Sequence, residues 1–599
     1  MKRLVLISSL LAVLIGAPAG SAATGFASCG ENGLLCATLN VPLDYSGATA
    51  GQVPLYVEEL PAVGTPRGVM VMLAGGPGQA SAETFKLGPK AAYWRAFFPG
   101  YTLVAYDDRG TGNSGRLDCP SARTIAQCGE AITTRAFYTT REHAEDIESV
   151  RAALGVDKVA VWGVSYGTRH AIGYALAHPG HVERLLLDSA ILPDRDLVDP
   201  ASLRTIPASV TRICTNNPCT GIAPGIGDRF VRLANQLEAN PVKASVPFGP
   251  GLAPFDVELD GDTLVSLGYE SDLNSAISSQ LPAAVDAALA GSFLPLERLV
   301  FLDSVTNGSS NDVNTALLLT TNCGDGPFPW GPNDAPEARR SALTAAIAAL
   351  PPGAAGPFGS WALQNLLPWT CVDWPAPSGG AVLGPGPLPN VPVLVLAGDR
   401  DIRTPTSGAV AVASRFPQGR VLVVPGAGHS VLNHSPCAAT AVRAWLNGAT
   451  PPAVCTRFSL YVPPVGPWRR SVAATPPLAR VPGLTGRTLA ALLQTIHDAE
   501  DVWSLTRHTE QATLGLAGGS LSPDPRGVIR LKGYSSVPGL TLTGNIVLKM
   551  DPYGDPVQPL TAQFGLLAVG GSGAAHGQVK LSENRLTGTL ARRNVSASF

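Results

Sequence analysis

Short runs of apolar residues recur along the chain, and segments with helical periodicity lie between several of them. The runs are residues 67–73, 101–106, 159–162, 182–188, 391–397 and 420–424. A continuous apolar run is typical of a strand that is buried on both faces of a sheet. Residues 140–154 predict an amphipathic helix, with acidic residues early and Arg151 late, as the helix dipole favours. This alternation predicts an α/β fold around a central sheet.

Two parts of the chain depart from this alternation. Residues 193–386 are rich in Pro, Gly and Asn with short helical patterns, which predicts a mainly helical lid inserted between core strands. From residue 514 onwards, short strand patterns are separated by Gly, Asn and Pro turns, which predicts a small antiparallel sheet or sandwich. The predicted domains are a signal peptide (1–23), the core (24–192 and 387–455), the lid (193–386), a linker and helix (456–513) and a C-terminal β-rich domain (514–599).

The segment Gly163-Val164-Ser165-Tyr166-Gly167 lies between a predicted strand and a predicted helix. A G-x-S-x-G in this setting predicts a nucleophile elbow, a strained turn that exposes the serine hydroxyl at the top of a sheet. Glycines flank the serine because a Cβ would clash where the backbone packs closely. Although a Gly-rich chain can produce the pattern by chance, its position makes Ser165 the candidate nucleophile.

A glycine pair, Gly75-Gly76, ends the apolar run at residues 67–73. Such a pair lets backbone N–H groups face a ligand. In a serine hydrolase one of them completes an oxyanion hole together with the N–H of the residue after the nucleophile. We therefore predict that the N–H groups of Gly76 and Tyr166 form this hole. The alternative is an ordinary Gly/Pro turn.

An acidic residue and a histidine follow the last two predicted core strands, in the order Ser…Asp…His of the α/β-hydrolase triad. His429 would accept the Ser165 proton and return it to the leaving group, while an aspartate would fix the imidazole tautomer. Position alone allows Asp399 or Asp401 as this aspartate. Of the nine histidines, His429 is the one in a Gly-rich loop directly after a core strand, with His434 as the nearest alternative.

Composition excludes several classes of function. The chain has 599 residues, of which 45% are hydrophobic and 15% charged, with a net charge of −2. The length predicts two or three domains with a substantial core. The near-neutral charge gives no indication of nucleic acid or anionic lipid as a partner, and we predict neither a cofactor nor a metal site.

The N-terminus and the cysteines both predict a location outside the cytoplasm. Residues 1–23 combine a basic start, an apolar stretch and small residues at the end, which is typical of a cleaved secretory signal. No other run is long enough for a stable membrane span. An even number of cysteines fits an oxidising compartment, although connectivity does not follow from sequence alone. Spacing favours the pairs Cys29–Cys36, Cys119–Cys128, Cys214–Cys219 and Cys437–Cys455, which leaves Cys323 with Cys371.

Together these motifs resemble the secreted tripeptidyl aminopeptidase family of α/β-hydrolases, which are relatives of the proline iminopeptidases. The resemblance extends over roughly residues 29–455. The matching segments are residues 36–45, Gly75–Gly78, Tyr106–Gly115, Gly163–Gly167, Asn322–Asp325, Gly398–Pro405 and Gly428–His429. Two departures leave substrate preference open, since Ala74 stands where proline iminopeptidases carry histidine, and Asp108 where glutamine is usual.

The resemblance implies a fold, a reaction and roles for three further positions. It implies an α/β-hydrolase that releases short peptides from free N-termini through an acyl-enzyme on Ser165. The family pattern G-x-x-D-x-x-T-P assigns the triad acid to Asp401, with Thr404 as a supporting residue. An exopeptidase must bind the substrate α-ammonium, and the resemblance makes the lid residue Asp325 the candidate for this role.

Two other functions stay open at the level of sequence. The same fold serves carboxylesterases and lipases, because fold does not determine substrate. A secreted binding protein with an inactive hydrolase core is the non-enzymatic alternative, which the intact set of catalytic elements disfavours. The expected partners are peptide or protein N-termini as substrate, with no nucleic acid. The oligomeric state is not readable from the sequence.

Overall fold

A nine-stranded mixed sheet forms the centre of the protein. The computed structural model describes residues 25–598 except 193, 195, 217, 309–312, 376–387, 457–462, 510, 558–559 and 584, so the predicted signal peptide lies outside the described residues. The strands up to residue 424 are β1 (Ala27–Ser28), β2 (Leu35–Pro42), β3 (Gln52–Leu60), β4 (Gly68–Leu73), β5 (Tyr101–Tyr106), β6 (Val159–Val164), β7 (Val182–Asp188), β8 (Val242–Val246), β9 (Phe255–Leu259), β10 (Pro392–Gly398) and β11 (Gln418–Val424). All except the hairpin β8–β9 belong to this sheet.

The strand order is β1-β2-β3-β5-β4-β6-β7-β10-β11. The pairs from β1 to β3, and β3 with β5, are antiparallel, and the remaining pairs are parallel. The parallel strands β4, β5 and β6 are almost wholly buried, as their continuous apolar runs predict. Their carboxyl ends meet at one edge of the sheet, so the loops that follow β4, β6, β10 and β11 lie at that edge.

Helices cover the sheet and build the segment between β7 and β10. Those before β7 are α1 (Ser81–Phe85), α2 (Ala91–Phe97), α3 (Ile125–Ala131), α4 (Thr140–Ala153) and α5 (Tyr166–Ala177). Those between β7 and β10 are α6 (Ala201–Asn216), α7 (Ile226–Ala239), α8 (Gly261–Glu270), α9 (Ser275–Leu289), α10 (Leu294–Gly308), α11 (Thr315–Asp325), α12 (Pro336–Ala348) and α13 (Pro368–Cys371). Helix α14 (Thr406–Ser414) connects β10 with β11, and α15 (Pro436–Leu446) follows β11. We refer to the described part of residues 196–375 as the lid segment; it is helical apart from the hairpin β8–β9.

The C-terminal region is a second sheet packed on a long helix. Helix α16 (Gly483–Thr506) precedes β12 (Thr513–Leu514), β13 (Ser520–Asp524), β14 (Val528–Tyr534), β15 (Thr541–Leu548), β16 (Ala562–Gly570), β17 (Gly577–Ser582), β18 (Arg585–Leu590) and β19 (Arg593–Ser598). These strands form one antiparallel eight-stranded sheet in chain order. The sequence patterns predict strands at residues 527–532, 540–550, 560–569, 577–581 and 585–590, which correspond to β14–β18. Strands β12, β13 and β19 were missed.

Helix α16 also packs against the lid segment, so it is more than part of a linker. Its residues Leu492 and Val502 share one hydrophobic cluster with Ile277 of α9, Leu302 of α10 and Leu531 of β14. A buried ion pair between Arg298 of α10 and Asp498 of α16 lies in the same contact. The lid segment and the C-terminal sheet are therefore joined through α16.

Five disulfides join all ten cysteines in the pairing that the spacing favours, including Cys323 with Cys371 across 48 residues. The predicted pairs are thus confirmed. Among the described helices, none combines the length and apolar character that crossing a bilayer requires.

Candidate active site

Ser165 lies in the turn between β6 and α5, as the motif predicts. Its backbone has φ 53° and ψ −121°, in a region that L-residues with a Cβ rarely adopt. Such strain persists where the surrounding structure enforces it, and it is typical of active sites. The Ser165 N–H donates to the Asp188 carbonyl oxygen at the end of β7 (2.9 Å), which connects the turn to the neighbouring strand.

Both glycines of the motif are required by close packing. A Cβ at Gly163 would lie 2.5 Å from the carbonyl oxygen of Gly167, and one at Gly167 would lie 2.4 Å from that of Ala74. No side chain can be accommodated at such distances from backbone atoms. The prediction that these glycines prevent a clash is therefore confirmed, and the second clash shows that the loop after β4 packs directly on the elbow.

This loop contains the predicted oxyanion-hole residue Gly76. A Cβ at Gly75 would lie 2.9 Å from the Ser165 Cβ, so the loop backbone touches the serine. The Gly75 N–H is bonded to the Gln79 side chain at 3.1 Å, whereas Gly76 has φ 108° in a conformation that favours glycine. Tyr166 is the first residue of α5, where N–H groups have no acceptor within the helix. Both predicted donors thus belong to the backbone segments on either side of Ser165.

His429 lies in the loop after β11 and is held by Asp401 and Thr404, which lie in the loop after β10. The His429 Nδ1 lies 3.0 and 3.1 Å from the two carboxylate oxygens of Asp401. Thr404 fixes that carboxylate by donating its N–H (2.7 Å) and its hydroxyl (2.6 Å) to it. All three side chains are buried. This geometry directs the Nδ1 proton to the acid and leaves Nε2 for a reacting group.

Electrostatics at this pair favours the charged form of both partners. Burial alone would lower the pKa of His429, but the charge of Asp401 and its hydrogen bond outweigh burial and raise it. Burial acts to raise the pKa of Asp401, but His429 and Thr404 hold it below its ordinary value. The site is therefore suited to stabilise an imidazolium when His429 accepts a proton.

Asp399, the other aspartate that position allowed, serves the turn after β11. Its Oδ1 accepts the Gly426 N–H at 2.8 Å, and Arg212 lies 3.5 Å from its Oδ2. The structure therefore pairs Asp401, and not Asp399, with His429.

Asp272, at the end of α8 in the lid segment, organises both loops, and the sequence analysis missed it. Its carboxylate accepts the N–H groups of Ile402 (2.7 Å) and Arg403 (3.2 Å) and pairs with the Arg403 guanidinium. Its carbonyl oxygen accepts the His429 N–H at 2.9 Å. A Cβ at Gly428 would lie 1.7 Å from that oxygen, which explains the glycine there. No local motif marks Asp272, because its partners in the two loops lie 130 or more residues away in the sequence.

Asp188 is a second residue that the sequence analysis did not single out. Its carbonyl oxygen binds the Ser165 N–H, and its carboxylate accepts the N–H groups of Val431 (2.8 Å) and Leu432 (2.9 Å). Burial raises the pKa of this carboxyl to about 6. One residue at the end of β7 thus connects the serine turn with the segment just after His429.

Asp325 lies at the end of α11 and is 1% exposed. Its carboxylate accepts the Thr140 N–H (2.9 Å) and the Tyr166 hydroxyl (2.7 Å), and Arg169 Nε is 3.5 Å away. A carboxylate bound to these protein donors is not open to a substrate ammonium. The predicted role of Asp325 in binding the substrate N-terminus stays a prediction that this placement does not favour; the contacts indicate that it anchors the elbow helix to the lid segment.

Two family profiles match parts of this chain. The profile described as "alpha/beta hydrolase fold" matches residues 68–212, and the one described as "TAP-like protein" matches residues 357–456. Together with the sheet order and the elbow, they define the class: the protein has an α/β-hydrolase fold and is a serine hydrolase.

Named relatives narrow the class. "Tripeptidyl aminopeptidase" of Streptomyces coelicolor is 26% identical over 446 residues, which cover 66% of this chain and 76% of that protein. "Serine protease Hip1" of Mycobacterium tuberculosis is 26% identical over 478 residues, which cover 70% and 86%. "Probable proline iminopeptidase" of S. coelicolor is 32% identical over 126 residues, which cover 21% and 33%. The predicted resemblance is therefore confirmed: over most of its length the chain is similar to proteins named tripeptidyl aminopeptidase and serine protease.

Proposed function

We propose that this protein is a serine exopeptidase that acts outside the cytoplasm and releases short peptides, in particular tripeptides, from free N-termini. The observation that carries the proposal is the buried His429–Asp401–Thr404 arrangement, connected through Asp188 to a strained elbow serine. The exopeptidase specificity is inferred from relatives named tripeptidyl aminopeptidase.

In the proposed reaction, Ser165 Oγ attacks the scissile carbonyl carbon while His429 Nε2 accepts the hydroxyl proton. Asp401 stabilises the resulting imidazolium, and the N–H groups of Gly76 and Tyr166 donate to the oxyanion. Collapse of the intermediate breaks the C–N bond, and His429 gives the proton to the departing amine. Water then attacks the acyl-enzyme with His429 again as the base, which frees the N-terminal peptide and regenerates Ser165.

Thr404 supports this reaction without contacting the substrate. Its hydroxyl binds Asp401 and lies 3.4 Å from His429 Nδ1. It therefore restricts rotation of the carboxylate and keeps both oxygens directed at the imidazole.

A comparison of three substrates tests the proposal. The purified protein is offered a tripeptide p-nitroanilide with a free N-terminus, its N-acetylated counterpart and a short-chain p-nitrophenyl ester. We expect cleavage of the free tripeptide and little or none of the acetylated one, because an exopeptidase requires the α-ammonium. Cleavage of the ester alone would overturn the peptidase proposal in favour of an esterase of the same fold.

Ser165→Ala is the matched control for this comparison. It should lower turnover of every cleaved substrate by several orders of magnitude with an unchanged thermal unfolding midpoint, as is typical when a triad member is lost. Wild-type turnover in this variant would show that Ser165 is not the nucleophile. An inactive wild-type protein would favour a binding role.

A further inference from the structure

Helix α11 of the lid segment contacts both backbone segments that are proposed to form the oxyanion hole. It starts beside the loop that contains Gly76 and ends beside α5, whose first residue is Tyr166. The helix has 11 residues, most of them buried, and at about 1.5 Å per residue it spans about 16 Å. One helix thus reaches from one half of the proposed hole to the other.

The start of α11 is joined to the loop after β4. The Asn314 N–H donates to the Gly78 carbonyl oxygen at 2.8 Å. Val313 pairs with Gln79 in an antiparallel bridge, and the Gln79 side chain accepts an N–H from the start of the same loop. A Cβ at Gly78 would lie 2.6 Å from the Asn314 carbonyl oxygen, so only glycine permits this approach. The turn that contains Gly76 is therefore held by the lid segment.

The Asn314 side chain fixes this end of the helix. It caps α11 by accepting the Leu317 N–H at 3.1 Å. Its amide group donates to the carbonyl oxygens of Gly110 and Leu117, both at 2.9 Å. Because a buried side chain in such a network restricts the backbone to which it belongs, the contact between Asn314 and Gly78 is held in place.

The end of α11 is joined to the elbow helix α5. The Asp325 carboxylate accepts the Tyr166 hydroxyl at 2.7 Å and the Thr140 N–H at 2.9 Å. Arg169, one turn further along α5, donates to the carbonyl oxygens of Asp325 (3.3 Å) and Gly326 (3.2 Å). Burial and the Asp325 charge raise the pKa of Tyr166 well above its ordinary value, so the phenol keeps the proton that it donates. The first residue of the elbow helix is therefore bound to the lid segment as well.

We propose that α11 sets the distance between the two N–H groups of the oxyanion hole, with Asn314 and Asp325 as the positioning residues at its ends. The inference rests on the proposed function, which assigns these N–H groups to Gly76 and Tyr166. Both positioning residues are buried and act through the backbone segments rather than on the substrate. Oxyanion donors are effective because they are placed in advance where charge develops, and a displacement of about 1 Å can lower the rate ~10²-fold.

Tyr166→Phe tests the end at α5, because it removes the hydroxyl that binds Asp325 and leaves the backbone N–H in the chain. We expect kcat to fall ~10-fold or more while KM changes less than ~3-fold. The rate at which a fluorophosphonate labels Ser165 should fall by a similar factor, since that reaction also develops charge on an oxygen in the hole.

Thr321→Val is the matched control. Thr321 is buried on α11, and its hydroxyl donates to the Tyr138 carbonyl oxygen at 2.8 Å, so it joins the helix to the core but to neither segment of the hole. This variant should lower the thermal unfolding midpoint about as much as Tyr166→Phe and keep kcat and the labelling rate within ~2-fold of the wild type. Equal losses of kcat in the two variants would overturn the proposal, as would a raised KM with unchanged kcat in Tyr166→Phe.

A double-mutant cycle tests whether one helix connects the two ends. Asn314→Ser keeps a residue that caps helices but removes the amide donated to Gly110 and Leu117, so it releases the start of α11. Because either substitution removes the same constraint, Asn314→Ser should also lower kcat, and the double variant should lose less than the product of the two single losses. Losses that multiply would overturn the role of α11 as the connection. If Asn314→Ser does not fold, the comparison of Tyr166→Phe with Thr321→Val still decides.

Fluorophosphonate labelling separates this inference from the proposed function, because the reaction requires no particular substrate. Cleavage of the p-nitrophenyl ester alone would contradict the exopeptidase function, and the labelling rates of the same variants would still decide whether α11 positions the hole.

Discussion

Ser165, the proposed nucleophile, also has a strained backbone conformation. Its positive φ costs of order 1–3 kcal/mol, and the Gly163 and Gly167 contacts, together with the bond to Asp188, enforce it. The motif alone predicted this turn, because its two glycines lie next to the serine in the sequence and prevent clashes within the turn itself. The choice between Asp399 and Asp401 was different: position did not decide it, and only the resemblance and then the contacts of His429 did.

The first prediction concerns this pair of aspartates. Asp401→Asn should lower kcat of the tripeptide anilide by about 10³–10⁴-fold, because an amide cannot stabilise the imidazolium and favours the wrong tautomer. Asp399→Asn should change kcat by less than ~3-fold, since the Asp399 side chain binds the Gly426 turn and Arg212 and not His429 in the described contacts. Steady-state kinetics of both variants checks this, and equal losses would contradict the assignment of Asp401.

The second prediction concerns the pH dependence of His429. The general base must be neutral, so kcat/KM should fall as pH decreases through the pKa of His429. Because Asp401 raises that pKa despite burial, the acidic limb should have its midpoint above the ordinary histidine value of about 6.5. The profile is measured from pH 5 to 9.

Because the substrate amine also titrates in this range, a p-nitrophenyl ester without an amine is the control. An acidic limb at or below the ordinary histidine value with the ester would show that His429 is not perturbed as described.

At the scale of elements, the loops after β10 and β11 depend on the end of α8. Asp272 binds the backbone of the first loop with its side chain and that of the second with its carbonyl oxygen. The His429–Asp401 pair, which we propose to be catalytic, is therefore positioned by the lid segment as well as by the sheet.

The third prediction is that Asp272→Asn lowers kcat by ~10-fold or more with little change in KM, because small displacements of catalytic groups have effects of this size. The variant also leaves Arg403 without its buried partner, so the unfolding midpoint should fall. Glu270→Gln is the control: Glu270 pairs with the Arg403 side chain at 2.6 Å but, unlike Asp272, makes no hydrogen bond to the backbone of either loop within the described contacts. A loss of stability without a loss of kcat in Asp272→Asn would limit Asp272 to a structural role.

Features that depend on neighbouring residues in the sequence were predicted correctly, whereas features that depend on contacts between distant segments were missed. The buried strands of the first sheet were predicted from continuous apolar runs, each of which is its own signal. Asp272 and Asp188 were missed because their roles arise from contacts with distant segments. Asp325 was predicted as the lid carboxylate that binds the substrate α-ammonium, and only the fold reveals that Thr140 and Tyr166 donate hydrogen bonds to it.

For the molecule as a whole, α16 is the shared core of the lid segment and the C-terminal sheet. It carries several buried acidic residues: Asp498 pairs with Arg298 and accepts the Tyr534 hydroxyl, and Asp501 binds Gln280. Two strands of this sheet were missed for different reasons. Pro523 interrupts the strand pattern of β13, and the polar residues 593–598 obscure that of β19.

The fourth prediction follows from two acids on this helix. Burial raises the pKa of Glu500 to about 8, and burial together with Asp498 raises that of Asp501 to about 8. Both folded-state values exceed the ordinary ones, so the folded protein retains these protons. The stability they contribute is fully present below about pH 4 and is lost progressively as pH rises to about 8.

Thermal unfolding from pH 5 to 9 should therefore show a falling midpoint for the wild type. Asp501→Asn should flatten this slope and raise the midpoint at pH 8 by ~2 °C or more. Asp551→Asn, in the partly exposed loop between β15 and β16, is the control and should leave the slope unchanged. A wild-type slope that survives Asp501→Asn and Glu500→Gln would assign the effect to other groups.

The position of α16 also decides whether this protein is modular. A version that ended near residue 455 would contain every residue of the proposed reaction, yet it would expose the apolar faces of α9 and α10 and leave Arg298 without Asp498. The lid segment would lose its support, and with it Asp272 and the two loops it holds. The last 140 or so residues are therefore not a separable domain. Truncation, gene fusion or recombination near residue 455 should inactivate the enzyme, although no residue of the proposed reaction would be removed.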